Sequence, residues 1–300
     1  MAGPIEQARF AHFLAIDWSG AVGERHKSIA LAMADARGGR PVLMRRPGGW
    51  SRAEVLGLLR DELPENTLVG LDLGIALPFA DAGAYFPGWD ESPIDAPSLW
   101  AMIDLLCAAD PHFSASSVVD HPEASRHFRR HGGREGDLFH LASALHRRGR
   151  FRVTELAQAE HLGCKPYSNF NLVGAAQVGK SSLTGMRLLH HLRGVLPVWP
   201  VDPLPTSGSV ITEIYTTIAA MAGGRTAGRS KMRDFAELNA TLAVIGSPPA
   251  LGEGPIDDHS ADALVTAAWL REVAGREQLW QPEGLTTQIA QTEGWTFGVP

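Results

Sequence analysis

Two cysteines in 300 residues, Cys107 and Cys164, are too few for a disulfide framework or a cysteine-rich zinc centre. They read as small buried apolar side chains, and a reducing cytoplasm is the expected compartment. No apolar run approaches the roughly 20 residues of a membrane span. The only apolar candidate near the N-terminus is interrupted by Asp17, so no secretory signal and no membrane partner are expected. A net positive charge is missing too: the formal charge is −6, which argues against a surface coated for nucleic acid. No His-Glu-x-x-His zinc pattern occurs, Ser181 and Ser182 do not sit in a nucleophile elbow, and there is no internal repeat or long low-complexity segment.

What is present is a mixed composition, 44% hydrophobic, that suits a soluble α/β chain able to bury a sizeable core. Charge is unevenly spread. Residues 121–194 hold twelve Lys/Arg against five Asp/Glu, a local +7 that leaves the remainder at −13. Arg126-His127-Phe128-Arg129-Arg130-His131 and His146-Arg147-Arg148-Gly149-Arg150-Phe151-Arg152 dominate this stretch. It reads either as a solvated helical face or as a track for a phosphate backbone.

Strand-like runs are expected at Phe13 to Asp17, Ser28 to Ala34 and Pro41 to Arg45, the last two joined by the turn Arg37-Gly38-Gly39-Arg40. Ser51, with Glu54 three residues on, caps a helix, and Thr67 to Leu73 is the near-continuous apolar run of a strand buried on both faces. Helices are expected over Leu99 to Ala109, Gly136 to His146, Ser181 to Leu192 and Asp258 to Ala274. Further strands are expected at Asn169 to Val173 and Ser209 to Tyr215. Gly223, Gly224, Gly228 and Ser230 suggest a mobile loop.

Acidic residues stand at the ends of these runs. Asp17 and Asp72 close apolar strands and precede the turn residues Ser19-Gly20 and Gly74, a placement that suits either a site at the carboxyl edge of a sheet or simple turn formation. Glu213, set among β-branched residues, needs a partner or a solvent-facing edge. In Asp257-Asp258-His259-Ser260-Ala261-Asp262, helical spacing lets Asp258 and Asp262, and His259 and Asp262, share a face. Capping accounts for Asp257 and Asp258 but not for Asp262, a turn inside the helix. If the fold gathers these carboxylates, their repulsion calls for a hard cation such as Mg²⁺ or Mn²⁺. The eight tryptophans read as core or loop anchors; Trp18, next to Asp17, either packs beside that site or stacks on a base.

Ala15-Ile16-Asp17-Trp18-Ser19-Gly20, Gly70-Leu71-Asp72-Leu73-Gly74-Ile75-Ala76-Leu77-Pro78, Thr212-Glu213-Ile214-Tyr215 and the Asp257 to Ala263 stretch resemble the RNase H-like superfamily, in particular its RuvC-type branch. Closer still is the resemblance to an uncharacterised family of predicted RNase H-like nucleases, a domain of unknown function. It covers about residues 10–80 and 205–275. The resemblance implies a single domain over 1–300, with a mixed sheet flanked by helices and a helical basic insertion, about 81–204, between core strands four and five. It implies a two-metal phosphodiesterase acting on nucleic acid. Asp17 would bridge two Mg²⁺ or Mn²⁺ ions, Asp72 and Asp262 would complete the pair, Asp258 or Glu213 would be the fourth carboxylate, and His259 would orient water or carry a proton unless it is structural.

Gly174-Ala175-Ala176-Gln177-Val178-Gly179-Lys180-Ser181 satisfies the Walker A pattern. One reading of 174–181 is a P-loop that binds NTP, but the Asp-terminated strands precede it instead of following it. The other reading has Gln177, Lys180 and Ser181 crown a helix N-terminus and hold a substrate phosphate beside the acidic site. Asp17-Trp18-Ser19-Gly20 and Asp72-Leu73-Gly74 are also similar to the phosphate-binding turns of sugar kinases and actin-like ATPases, but a second copy of that unit is missing. A catalytically inactive nucleic-acid-binding scaffold is a further alternative, opposed by retention of all four acidic positions.

Overall fold

The computed structural model describes residues 9–130, 132, 134–141, 149–173 and 178–300. Its centre is a mixed six-stranded sheet built from β1 (His12–Asp17), β2 (Ala30–Asp35), β3 (Val42–Met44), β4 (Thr67–Asp72), β5 (Val198–Trp199) and β6 (Val210–Glu213). The order across the sheet is β3-β2-β1-β4-β6-β5. β2 runs antiparallel to β1 and β3, while β1, β4, β6 and β5 are mutually parallel. The helices that flank it are α1 (Arg52–Gly57), α2 (Ala96–Leu106), α3 (Val153–Leu162), α4 (Val178–Leu192), α5 (Thr216–Ala222), α6 (Phe235–Val244) and α7 (Asp258–Val273).

Both faces of the sheet are covered, and the period-two pleat decides which residue goes where. Leu14, Ile16, Leu31, Val69 and Leu71 join a core with Val55 of α1, Trp100 of α2 and Leu189 of α4. Phe13, Ala15, Ala32, Leu68 and Val210 join the opposite core with Ile218 of α5, Leu238 of α6 and Leu264 of α7. Helix α7 is buried without interruption from Ser260 to Leu270, so it has no solvated face along that stretch. Each fully buried Leu contributes roughly 1.5–3 kcal/mol.

Most elements form where apolar spacing and caps predict them. Ser51 caps α1 through a complete capping box with Glu54. The chain between β4 and β6 carries α2, α3 and α4 and also returns β5 to the sheet edge. Two expected elements differ. The helix expected from Gly136 is a turn as far as Leu141, because the Gly136 N–H donates to the Phe128 carbonyl (3.0 Å) and the Leu138 N–H to Arg126 (2.9 Å), closing a hairpin; residues 142–148 lie outside the described residues. Of the strand expected over Asn169 to Val173, only Asn171 pairs, with Arg129. The Asn169 side chain donates instead to the Ala76 carbonyl (2.9 Å) and that of Asn171 to Val173 (3.1 Å), competing with a ladder. Among the described residues no helix is long and apolar enough to cross a membrane.

Among the described residues, most arginines of the basic middle are ion-paired, several with carboxylates outside it. Arg126 pairs with Glu123 and Asp137, Arg129 with Glu135, Arg130 with Asp120, and buried Arg150 with Asp81. Arg152 goes furthest. Its guanidinium forks onto both Glu213 oxygens (2.6 and 2.7 Å), onto Glu155 (2.6 and 2.9 Å) and onto the Glu293 carbonyl (3.0 Å). The Glu293 carboxylate in turn accepts the N–H groups of Phe79, Ala80 and Val153 at 2.6–2.7 Å. The fork therefore ties the end of β6, the start of α3, the chain after β4 and the C-terminal segment together. Replacing Arg152 with Ala leaves buried carboxylates unpaired and is expected to cost about 3–5 kcal/mol. Equilibrium denaturation reads this directly; a loss under about 1 kcal/mol would show the fork to be dispensable.

Candidate functional site

Parallel pairing places Asp17 opposite Asp72, side by side at the carboxyl edge of β1 and β4. Parity sends both side chains to the face that carries Phe13, Ala15 and Leu68, the face covered by α7. Asp262 arrives there from the buried stretch of that helix. Asp17 is 6% exposed and Asp262 3%, while Asp72 keeps a partial opening to solvent through a cavity it lines, though protein surrounds it densely.

Three carboxylates brought together in this way alter one another. Burial first, then the charges of Asp17 and Asp262, push the Asp72 carboxyl well above the usual range; Lys231 and the Thr216 hydroxyl, which donates to Asp72 at 3.3 Å, oppose the rise. Asp262 is pushed up to about 6, again chiefly by burial, with Lys231 opposing and Asp17 and Asp258 adding repulsion. The Lys231 ammonium lies 2.5 Å from Asp262. Burial alone would lower its pKa, but Asp262, Asp17 and Asp72 together raise it. The His259 ring nitrogen Nδ1 is 3.1 Å from Asp17, and this bond raises the imidazole above its ordinary value against the opposing effect of burial.

Other predicted residues fall into three groups. Asp258 is exposed at the first turn of α7 and acts on Asp262 through its charge, while Asp257 is the N-cap, accepting from the Ser260 N–H at 2.9 Å. Lys180 and Ser181, both half-buried, line the cavity at the start of α4; Gln177 lies outside the described residues. Glu213 lines the same cavity as Asp72 and His259, but from the opposite face of the sheet. It pairs with Leu71 in the sheet register and so projects to the other face, where the Arg152 fork, the Ile75 N–H (2.8 Å) and the Thr296 hydroxyl (2.5 Å) consume its oxygens.

The cavity has a volume of about 480 Å³ and lies between the turn Trp18 to Ala21, the turn Asp72 to Gly74, Tyr167, the start of α4, and His259. Its walls are fixed by close backbone approach. A Cβ on Gly20 would sit 2.3 Å from the Lys180 carbonyl carbon, and Gly74 donates to Ser182 at 3.1 Å. Trp18 is buried in the wall of the cavity and donates to Thr184 at 3.0 Å.

Comparison with protein-family models, with curated proteins and with solved structures finds no match for this chain. Function therefore rests on the site itself. In charge and donor type the cluster suits a hard divalent cation: three carboxylates, two of them raised chiefly by burial and further by their neighbours' charge, lie beside one ammonium. Among the described residues, however, no three His, Cys, Asp or Glu side chains already converge as a metal group. Lys231 holds the nearest oxygen. No sequence motif announced Lys231 or Arg152; the one visible hint was that buried carboxylates need partners.

The raised Asp262 gives a pH signature. An acid whose pKa is higher in the folded than in the unfolded chain binds its proton more tightly when folded, so its ionisation costs stability as pH rises from about 4 to about 6 and the full cost persists above. Asp262→Asn removes that cost. Without added metal, its Tm is expected to exceed that of the wild type at pH 7 and to match it near pH 4. A lower Tm at pH 7 would show that the Lys231 pair more than offsets the burial of Asp262.

Proposed function

We propose that the chain is a metal-dependent phosphodiesterase acting on nucleic acid, built on an RNase H-like sheet. The observation that carries this reading is the adjacent Asp17 and Asp72 at the carboxyl edge of two parallel strands, facing Asp262, with Lys231 on Asp262 and His259 on Asp17. The strand order supports it: an antiparallel three-strand meander, then parallel strands, with acidic residues closing the first and fourth. The rule that ligands collect outside the carboxyl ends of strands in α/β sheets supports it as well.

Asp17, Asp72 and Asp262, with Asp258 at the rim, are the residues that would hold Mg²⁺ or Mn²⁺. Bound there, the ions supply Lewis-acid stabilisation of the phosphoryl oxygens and of the leaving 3′ oxygen. The remaining work belongs to the chain. His259, oriented by Asp17, which also raises its imidazole above the ordinary value, would pass a proton or orient the attacking water. Lys180 and Ser181, which line the cavity at the N-terminus of α4, favour a substrate phosphate through the lysine charge and the positive end of the helix dipole. Lys231 pairs with Asp262 here and would have to leave it for a divalent cation to be held by that carboxylate.

Hydrolysis of bis(4-nitrophenyl) phosphate and of a short oligonucleotide, with Mn²⁺ and with EDTA, tests the reading. Asp17→Asn is expected to lose more than the roughly 10–100-fold that follows loss of an outer-shell partner, while staying folded. Wild-type protein with no metal-dependent cleavage, or an Asp17→Asn variant as active as the wild type, would overturn it. A thermal shift with ATP or GTP that disappears in Lys180→Ala would instead favour nucleotide binding at 174–181.

A further inference from the structure

We infer that Lys27, Arg45 and Arg46 line a groove that carries a nucleic-acid strand away from the carboxylate cluster. The inference rests on the phosphodiesterase reading and names the surface that would make its substrate a polymer. A second cavity, of about 550 Å³, is bounded by these three residues with Ser28, Trp50, Asp257, His259 and Ser260. It lies on the same edge of the sheet as Asp17. Asp17 pairs with Ala30 at the start of β2, and Leu31 pairs with Met44 at the end of β3. Lys27 therefore precedes β2, and Arg45 and Arg46 follow β3, at the edge where β1 and β4 present Asp17 and Asp72.

Two contacts join this groove to the catalytic cavity. His259 lines both, and Ser28 of the groove donates to Ser19 of the cavity at 2.8 Å. The charge of the groove is also uncommitted. Lys27, Arg45 and Arg46 are all exposed, and among the described residues none is ion-paired with a carboxylate. Asp257, the carboxylate on this wall, is engaged with the Ser260 N–H. Arg46 is held at the rim by stacking over Trp50, 4.8 Å from the ring centre, which positions its charge without neutralising it. The more basic segment around Arg126 to Arg130 is by contrast occupied with Glu123, Asp137, Glu135 and Asp120. In a chain of net charge −6, an open row of three cations beside a carboxylate site complements a chain of phosphodiesters, since neutralising each phosphate releases its counterions.

The test is fluorescence anisotropy with a labelled single-stranded oligonucleotide, in EDTA so that no cleavage competes, over a range of salt concentrations. Lys27→Gln/Arg45→Gln/Arg46→Gln is expected to bind about tenfold or more weakly at 50 mM salt, and to flatten the log–log salt slope by about 2, as the loss of three phosphate contacts requires. Lys27→Gln/Arg45→Gln, which spares the Arg46–Trp50 stack, should show the same trend at about two thirds of the change in slope and guards against misfolding of the triple variant. Arg126→Gln/Arg129→Gln/Arg130→Gln removes equal charge from the paired segment and should leave the slope near wild type. No binding by the wild type, an unchanged slope in the groove variants, or an equal loss in the paired-segment variant would overturn the inference. Hydrolysis of bis(4-nitrophenyl) phosphate, too small to span the groove, reports on the carboxylate site separately. It should be unchanged in the groove variants, and its absence in the wild type would sink the phosphodiesterase reading while anisotropy still decides the groove.

Discussion

The parallel register that sets Asp17 beside Asp72 is the constraint on which the rest of the site depends. Neighbouring strands lie about 4.8 Å apart, so two carboxylates in register at a shared edge cannot avoid each other. Asp262, delivered by a helix buried from Ser260 to Leu270, adds a third charge on the same side. The surroundings respond as electrostatics requires. Two of the acids are raised, a lysine from the segment before α6 reaches Asp262, and a histidine at the head of α7 binds Asp17. A purely structural core would place apolar groups here. Two acids at a sheet edge with a third on the helix above them are the basis of the proposal that the working state includes a cation.

Acidic residues on the other face have a different job. Glu213 ends β6 one pleat out of phase with Asp72, and the Arg152 fork binds it together with Glu155. This buried ionic assembly anchors the C-terminal segment and the start of α3 against the sheet, and so holds one wall of the cavity. The opposite wall is held by backbone contact, with Gly20 against the first turn of α4 and Gly74 against Ser182. The cavity thus has fixed sides, while the Lys231 side chain, which pairs with Asp262, is half exposed.

Much of the framework was legible before any coordinates. The apolar runs of β1 and β4, the Ser51 capping box and the late helix with Asp262 inside it follow from period and capping alone. Glu213 misled because parity is visible within a strand, but the register between strands is set by packing that one sequence does not display. Asn169 to Val173 had strand composition, yet its asparagine side chains bond backbone carbonyls, Asn169 the distant Ala76 and Asn171 the nearby Val173. The basic stretch around Arg126 to Arg130 stayed open between a solvated face and a phosphate track because its partners, Asp120 and Asp137 among them, sit on neighbouring turns that a linear charge count cannot pair. Lys27, Arg45 and Arg46 escaped notice for the converse reason: the sheet, not the sequence, makes them neighbours.

The central claim is that the carboxylate cluster exists to bind a divalent cation in exchange for Lys231. A Mn²⁺-soaked crystal, read by anomalous scattering, tests it most directly. The account predicts metal held by Asp17, Asp72 and Asp262, with the Lys231 ammonium displaced from Asp262. A lysine still seated on Asp262, with no anomalous signal among the three carboxylates, would contradict it.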